Sequence, residues 1–472
     1  MVGRAWVSHL SGRLAPLGAY TERIERLITP AYPDAAEIRG ICSTLRVSNT
    51  VSIDQDPRAA VSALRQAVAA IPPTNRFAHG LAVCFLSLAL QASGETDAAL
   101  RRAADWTERE VERVDAGFIA GLQANVLVNY WAGRLHACAA AADDVLAFAT
   151  RHDLPIAAGW ARRGLGMVAY MQNRLEDAIL HFSAIVGDHE RGNMLGVTEG
   201  FIGLARSYAA AGRDPEARDV LRKAAALLVE RKAIELMPLV HACDAILLLQ
   251  SGKPDVEKAL ARTAGATLDA GPLNLQIPPL VARVRCLLVS GRPQDLNEAE
   301  RHLQVLEDRA VRSHNMAVQL QVGAFRAILL DLQGDRSAAT AELGLMIGLG
   351  APERFMRLFL DLEPQLRPLL LSLTKNQDEV VGLPALLTAL GPAYDIAQAP
   401  AVSPSLELLT MRESEVLDHL AARLTYKEIA YELSISPETV KRHVNSIYSK
   451  LGVGTRREAL LKAQELGWHS AA

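Results

Sequence analysis

Aromatic residues are scarce in this chain. They make up 5% of its 472 residues, whereas Ala, Leu and Arg are abundant. Strands lean on aromatic and β-branched side chains, so the balance favours helix. The cysteines are only five: Cys42, Cys84, Cys138, Cys243 and Cys286. They are dispersed and none forms a C-x-x-C pair. Neither a disulfide frame nor a zinc site is expected, and the thiols read as reduced members of a helical core. No run approaches the roughly 18–20 uncharged apolar residues of a membrane span. Arg4, His9 and Arg13 interrupt any apolar leader. The net charge of −3 excludes a uniformly basic coat for nucleic acid, so a DNA-binding surface would have to be local. Catalytic signatures are lacking too. The sequence has no G-x-x-x-x-G-K-[ST], H-E-x-x-H or G-x-S-x-G. Gly164-Leu-Gly166-Met-Val-Ala169 fits a loose dinucleotide fingerprint, but no strand precedes it and it lies inside a helical stretch. The expectation is a soluble, cytoplasmic protein that is not an enzyme, with no cofactor, no metal and no membrane contact.

What the chain does have is apolar content and repetition. Half of it is hydrophobic and 22% is charged, enough for a large core and too much for disorder. One pattern recurs: an apolar helical segment, a Gly, then a polar lead into Ala-rich helix. The punctuating residues are Gly94, Gly133, Asn173, Gly212, Gly252, Gly291 and Gly334, spaced 39, 40, 39, 40, 39 and 43 residues apart. Gly12 and a weaker turn at Asp54–Asp56 extend the register toward the N-terminus. A helix–turn–helix unit of this period predicts an α-solenoid of eight or nine helix pairs. Gly serves where a left-handed cap ends the first helix, and Asn173 is the next best residue for that conformation. The aromatic residues before the turns (Tyr130, Trp131, Tyr170, Tyr208) are expected to pack between pairs. The segment Gly350–Leu370 breaks the register and is expected to cap the array. The Ala/Pro/Ser stretch Ala397–Ser405 reads as a linker. The resulting domains are a helical-repeat array over 1–372, a linker with a short helix over 373–402, and a C-terminal module over 403–469.

That module carries dense helix-start signals. Thr410 with Glu413 and Thr425 with Glu428 are capping boxes. Ser436 before Pro437 is an N-cap with Pro at the first helical position. Helices are predicted near Arg412–Ala422, Tyr426–Leu433, Pro437–Leu451 and Arg456–Leu466. The second and third are separated by three residues, as a helix-turn-helix requires. On the third helix Val440, Val444, Ile447 and Leu451 form an apolar face. From Pro437 to Arg457 there are five basic residues (Lys441, Arg442, Lys450, Arg456, Arg457) and one acid, Glu438. Lys, Arg, Thr and Asn are the side chains that bond base edges and phosphates.

The motifs LTMRESEVLDHLA, YKEIAYEL, SISPETVKRHVNSI and KLGV resemble the LuxR-type (NarL/FixJ-type) DNA-binding domain. The repeats loosely resemble tetratricopeptide repeats, with a period longer by about five residues. Together they are similar to the MalT-like regulators, the large ATP-binding LuxR class. That resemblance implies an all-α fold: a tetratricopeptide-like superhelix followed by a four-helix helix-turn-helix domain. It implies double-stranded DNA as partner. Lys441, Arg442 and Asn445 would read bases. Thr425, Lys427, Ser436, Thr439, Val440, His443 and Lys450 would line the backbone or groove wall, and the Tyr426 phenol would reach a phosphate. It also implies a homodimer or oligomer on DNA, with Val453, Arg456, Ala459, Leu460 and Ala463 as dimer contacts. The array would take a small-molecule or protein effector on its concave face. Two residues depart from the family: Arg423 stands where Gly is usual, and Tyr426 where Asn is usual. The chain also has no P-loop and begins inside a first repeat, so a nucleotide-binding partner acting in trans is an alternative. A protein-interaction scaffold with a degenerate DNA-binding domain is another.

Overall fold

The computed structural model describes the chain except residues 11–16, 30, 49–55, 111–115, 251–252, 267–277, 376–379, 392–410, 423, 434, 452, 454 and 466–472. Gly12, Asp54, Gly252, the stretch Ala397–Ser405, Thr410 and Arg423 therefore lie outside the described residues. All regular structure among the described residues is helical. The chain divides into two compact units, Met1–Leu390 and Gly391–Ala472.

In the first unit the Gly stations end helices as the spacing predicts. Seven helix pairs run from Arg76 to Gly350, the first being Arg76–Ala92 with Thr96–Glu110 and the last Met316–Leu332 with Arg336–Gly350. Between the helices of these pairs the backbone turns left-handed at Gly94 (φ 86°), Gly133 (74°), Asn173 (61°), Gly212 (74°), Gly291 (65°) and Gly334 (92°). The amide after the turn reaches back five residues: Glu95 to Leu90 O at 2.9 Å, Arg134 to Asn129 O at 2.8 Å and Arg213 to Tyr208 O at 2.8 Å. These bonds satisfy carbonyls that a helix end leaves without partners. The return turns between pairs use the same device without glycine. Asp153 (φ 51°), Lys232 (54°) and His314 (48°) are left-handed there, a feature the sequence reading missed. Among the described residues, four further helices, Val2–Leu10, Leu17–Leu27, Ala35–Ser48 and Pro57–Ala70, precede the seven pairs.

The layers differ in burial. In the inner helix Arg76–Ala92, 14 of 17 residues are buried, against 6 of 17 in the outer helix Asp214–Glu230. Small residues let the layers meet. A Cβ on Gly166 would lie 2.8 Å from Cζ of Phe182, and one on Gly203 only 2.4 Å from the same atom. The Phe182 ring is thus held between two inner helices that lack side chains opposite it. This accounts for the Gly164–Ala169 fingerprint as packing. Trp131, Tyr130 and Tyr170 are buried as expected, and the Arg213 guanidinium covers the Tyr208 ring at 4.2 Å. All five cysteines are free and buried. Burial pushes the Cys84 thiol up to about 12. Gln91, in the first of the seven pairs, donates to the carbonyl of His314, in the return turn before the last, at 3.3 Å, so distant repeats of the array touch.

The segment after Gly350 does more than close the last repeat. It folds back across the inner helices. The Met356 amide donates to Met171 O at 2.8 Å, and Gln172 donates to Glu353 O at 3.2 Å. Phe355, Met356, Leu358, Phe359, Leu360 and Leu362 are all buried. The short helix Leu383–Leu390, read as part of the linker, belongs to this first unit and buries Leu383 and Leu386.

Among the described residues the second unit holds four helices, Met411–Ala421, Tyr426–Glu432, Pro437–Leu451 and Arg456–Glu465. Their common core is Val416, Leu417, Leu420, Ile429, Ala430, Val440, Val444, Ile447 and Ala459.

Candidate nucleic-acid interface

The geometry of the C-terminal unit follows from its caps. Thr425 accepts from the Glu428 amide at 3.4 Å, and Glu428 accepts from the Thr425 amide at 2.7 Å. This reciprocal pair fixes where Tyr426–Glu432 begins. Hydrogen bonds from the Thr425 amide and hydroxyl hold the Glu428 carboxyl below the usual range. Ser436 accepts from the Thr439 amide at 3.1 Å and so starts the third helix at Pro437. The turn between these two helices is closed by the Ile435 amide on Ala430 O at 2.9 Å. Glu413, read as half of a capping box, is buried and accepts from Ser446 at 2.6 Å. It ties the first helix to the third.

With Val440, Val444 and Ile447 all buried, the third helix presents Lys441 and Arg442 to solvent. His443 is half-buried and Thr439 is partly buried, its hydroxyl 2.8 Å from that of Ser436. Thr425, Tyr426, Lys427 and Ser436 are exposed. Asn445 and Lys450 lie on the same helix, Pro437–Leu451, and their side chains lie outside the described residues. One helix thus offers two cations, flanked by the exposed start of the helix before it.

Two expectations are corrected. Val440 is fully buried in the domain core, so it lines no groove wall. Ala459 is likewise fully buried and presents nothing to a second copy. Arg456 is occupied within its own domain. It donates to Leu420 O at 3.1 Å and to Leu424 O at 3.1 Å. A cation at these carbonyls satisfies and charge-stabilises the end of the first helix, next to the position where Arg423 replaces the family's Gly. Val453 and Leu460 pack partly against the core, and the side chain of Ala463 lies outside the described residues. Burial and the neighbouring Tyr426 phenol push Tyr448 above the usual tyrosine range. Nothing in the sequence pattern pointed to Arg456 as an internal brace, because its partners lie 32 and 36 residues away.

The comparisons with known proteins agree with this geometry. The family model described as a MalT-like TPR region matches residues 44–376. The model for bacterial regulatory proteins of the luxR family matches residues 407–463. The chain is 40% identical over 93 residues to the probable transcriptional regulatory protein NarL of Mycobacterium tuberculosis, which is 20% of this chain and 40% of that protein. It is 44% identical over 63 residues to the spore germination protein GerE of Bacillus subtilis, covering 13% of this chain and 85% of that protein. It is 41% identical over 58 residues to the HTH-type transcriptional regulator MalT of Serratia proteamaculans, 12% of this chain and 6% of that protein. The chain thus spans two fifths of the first of these relatives and a small part of the last. Its repeat array and its capped helix-turn-helix unit place it in the family of proteins with a MalT-like TPR region, and its C-terminal domain in the LuxR family of bacterial regulatory proteins.

Proposed function

We propose that this protein is a sequence-specific DNA-binding transcription regulator. Its helical array would receive a signal, and its C-terminal helix-turn-helix would read duplex DNA. The observation that carries the reading is the third helix of the C-terminal unit. Val440, Val444 and Ile447 are buried while Lys441 and Arg442 stand exposed. Such cations serve a major-groove helix by pairing with guanine edges or phosphates. Double-stranded DNA is then the partner, and two copies on paired half-sites would raise both affinity and specificity. The array would act by population shift, favouring one arrangement of the regulator over another. The first compact unit, Met1–Leu390, would be its sensor and residues 403–469 its reader. Among the described residues no helix is long and apolar enough to cross a membrane, which fits a cytoplasmic regulator.

The test is a selection of bound sequences from random duplex DNA with the full chain, at about 150 mM salt so that non-specific phosphate binding is weak. A Lys441→Ala/Asn445→Ala variant serves as control. Enrichment of a motif that the control does not enrich supports the reading. Equal recovery of random sequence by both proteins sinks it.

A further inference from the structure

The inner helices are already covered where the folded-back segment crosses them, since Tyr170 and Arg206 both donate to the Asp361 carboxylate, at 2.7 and 3.3 Å. An open cleft lies elsewhere, between the third and fourth helix pairs. It holds about 420 Å³, within the range of about 300–1,000 Å³ usual for small-molecule sites. Ile156, Trp160, Ile185 and Val197 are among the apolar residues of its wall, and its charged residues are Arg162 and Asp188. Asp188 is paired with Arg191 at 2.7 Å. Arg162 is partly buried and makes no ion pair or side-chain hydrogen bond among the described residues. His181 neighbours Arg162 and shares a helix face with Ala184 and Asp188 of the cleft wall. Its Nδ1 is buried without a hydrogen-bond partner. Gly159 also lines the cleft. It sits inside the helix Pro155–Met171, where glycine weakens a helix relative to alanine. Gly166 of the same helix answers to packing, against Phe182, but a Cβ on Gly159 would meet nothing within 4 Å. The space its missing side chain leaves is the cleft.

We propose that this cleft is the effector site of the array and takes a small aromatic monocarboxylate, its carboxylate on Arg162. This rests on the reading of the array as the sensor. The ligand class follows from the lining. Side chains are absent at Gly159 and Gly196, on two neighbouring inner helices, which leaves a slot for a flat ring against apolar walls. One guanidinium without a partner calls for one negative charge, and its planar fork suits a carboxylate. Burial, then the Arg162 charge, holds the His181 imidazole below its usual range. As a neutral ring it offers a hydrogen bond beside Arg162 without adding charge. Apolar walls with a single cation disfavour a polyanion, whose further charges would be desolvated without partners.

The experiment is calorimetry of the full chain with phenylacetate, with the neutral phenylacetamide and with acetate. Phenylacetate is expected to bind with a Kd below about 1 mM, and the other two at least roughly tenfold more weakly. Arg162→Gln should weaken phenylacetate roughly tenfold, as the loss of a charge-assisted hydrogen bond does. Gly159→Leu should abolish binding by filling the cleft. Its thermal midpoint should not fall, because the added Cβ meets no neighbour and leucine favours helix. Bound phenylacetate should slow amide exchange over residues 184–197. Arg162→Gln keeps the test open if Gly159→Leu does not fold. No binding of phenylacetate up to about 10 mM, equal binding of phenylacetamide, or binding unchanged in either folded variant overturns the proposal. No DNA is present, so failure here is independent of failure in the sequence selection.

Discussion

Arg456 reaches from the start of the last helix to the carbonyl of Leu420, at the end of the first helix of the C-terminal unit. The contact spans 36 residues of sequence, and it makes a side chain suited to a dimer surface or a phosphate into a helix cap. Charged hydrogen bonds of this kind contribute about 1.5–3 kcal/mol. Arg456→Ala is therefore expected to lower the stability of the C-terminal unit by about that amount. Urea unfolding followed by a probe in that unit reads the loss. If DNA binding falls while unfolding is unchanged, Arg456 contacts DNA or a second copy and the capping role is wrong.

Lys441 and Arg442 have the opposite character, exposed on a helix whose other face is core. Replacing either by Ala should leave folding intact. It should cost about 1–3 kcal/mol of discrimination between operator and random DNA if the side chain pairs bidentately with a base. Parallel titrations on the two DNAs decide the matter. Equal weakening on both would mean phosphate contact only, with a shallower salt dependence.

Much of this architecture was legible because it is local. A left-handed turn asks for Gly or Asn, so Gly94, Gly133, Asn173 and Gly212 mark the period by themselves. Capping residues announce helix starts, and Thr425 and Ser436 do so. The return turns at Asp153, Lys232 and His314 were hidden, since residue type there does not disclose the conformation. The place of residues 351–362 was hidden for a different reason. Asp361 lies 191 residues from Tyr170, and no periodicity links a carboxylate to a phenol at that distance. Long-range polar pairing likewise concealed the role of Arg456.

The Phe182 ring offers a sharp packing test. Gly203→Ala would place a methyl about where the ring stands, and overpacking of this kind typically costs about 1–3 kcal/mol. Phe182→Leu alone should also destabilise, by leaving a void. Combined, the two should partly rescue each other, since the methyl then enters space the ring has left. A double-mutant cycle on thermal unfolding measures the coupling. Strict additivity would show that the ring and Gly203 do not press on one another.

The Asp361 cluster predicts an acid limb in the stability of the array. Burial by itself pushes this carboxyl upward, but Arg357, Arg206 and the Tyr170 hydrogen bond outweigh it, and the net shift is downward. A group whose pKa is lower in the folded chain contributes stability above its unfolded pKa, near about 3.9 for Asp. That stability is lost as pH falls through the folded value. The parent should thus lose stability below about pH 4 more steeply than Asp361→Asn, which is less stable at neutral pH but flatter in acid. Urea midpoints from pH 3 to 7 check both limbs. Parallel pH profiles would show that Asp361 is not charged in the folded array.

Lys232 provides the last test, because it is an exposed residue with a left-handed backbone. Its φ is 54°, and the following amide, of Ala233, closes the turn on Leu228 O at 2.9 Å. A Cβ in this conformation costs about 1 kcal/mol, and glycine removes that cost while adding some freedom to the unfolded chain. Lys232→Gly should therefore stabilise the array by about 0.5–1 kcal/mol. The same change at Asp214, the first residue of the helix Asp214–Glu230, should destabilise it. Thermal unfolding of the two variants against the parent distinguishes conformational relief from a general effect of glycine, and a lower midpoint for Lys232→Gly would refute the left-handed return turn as a source of strain.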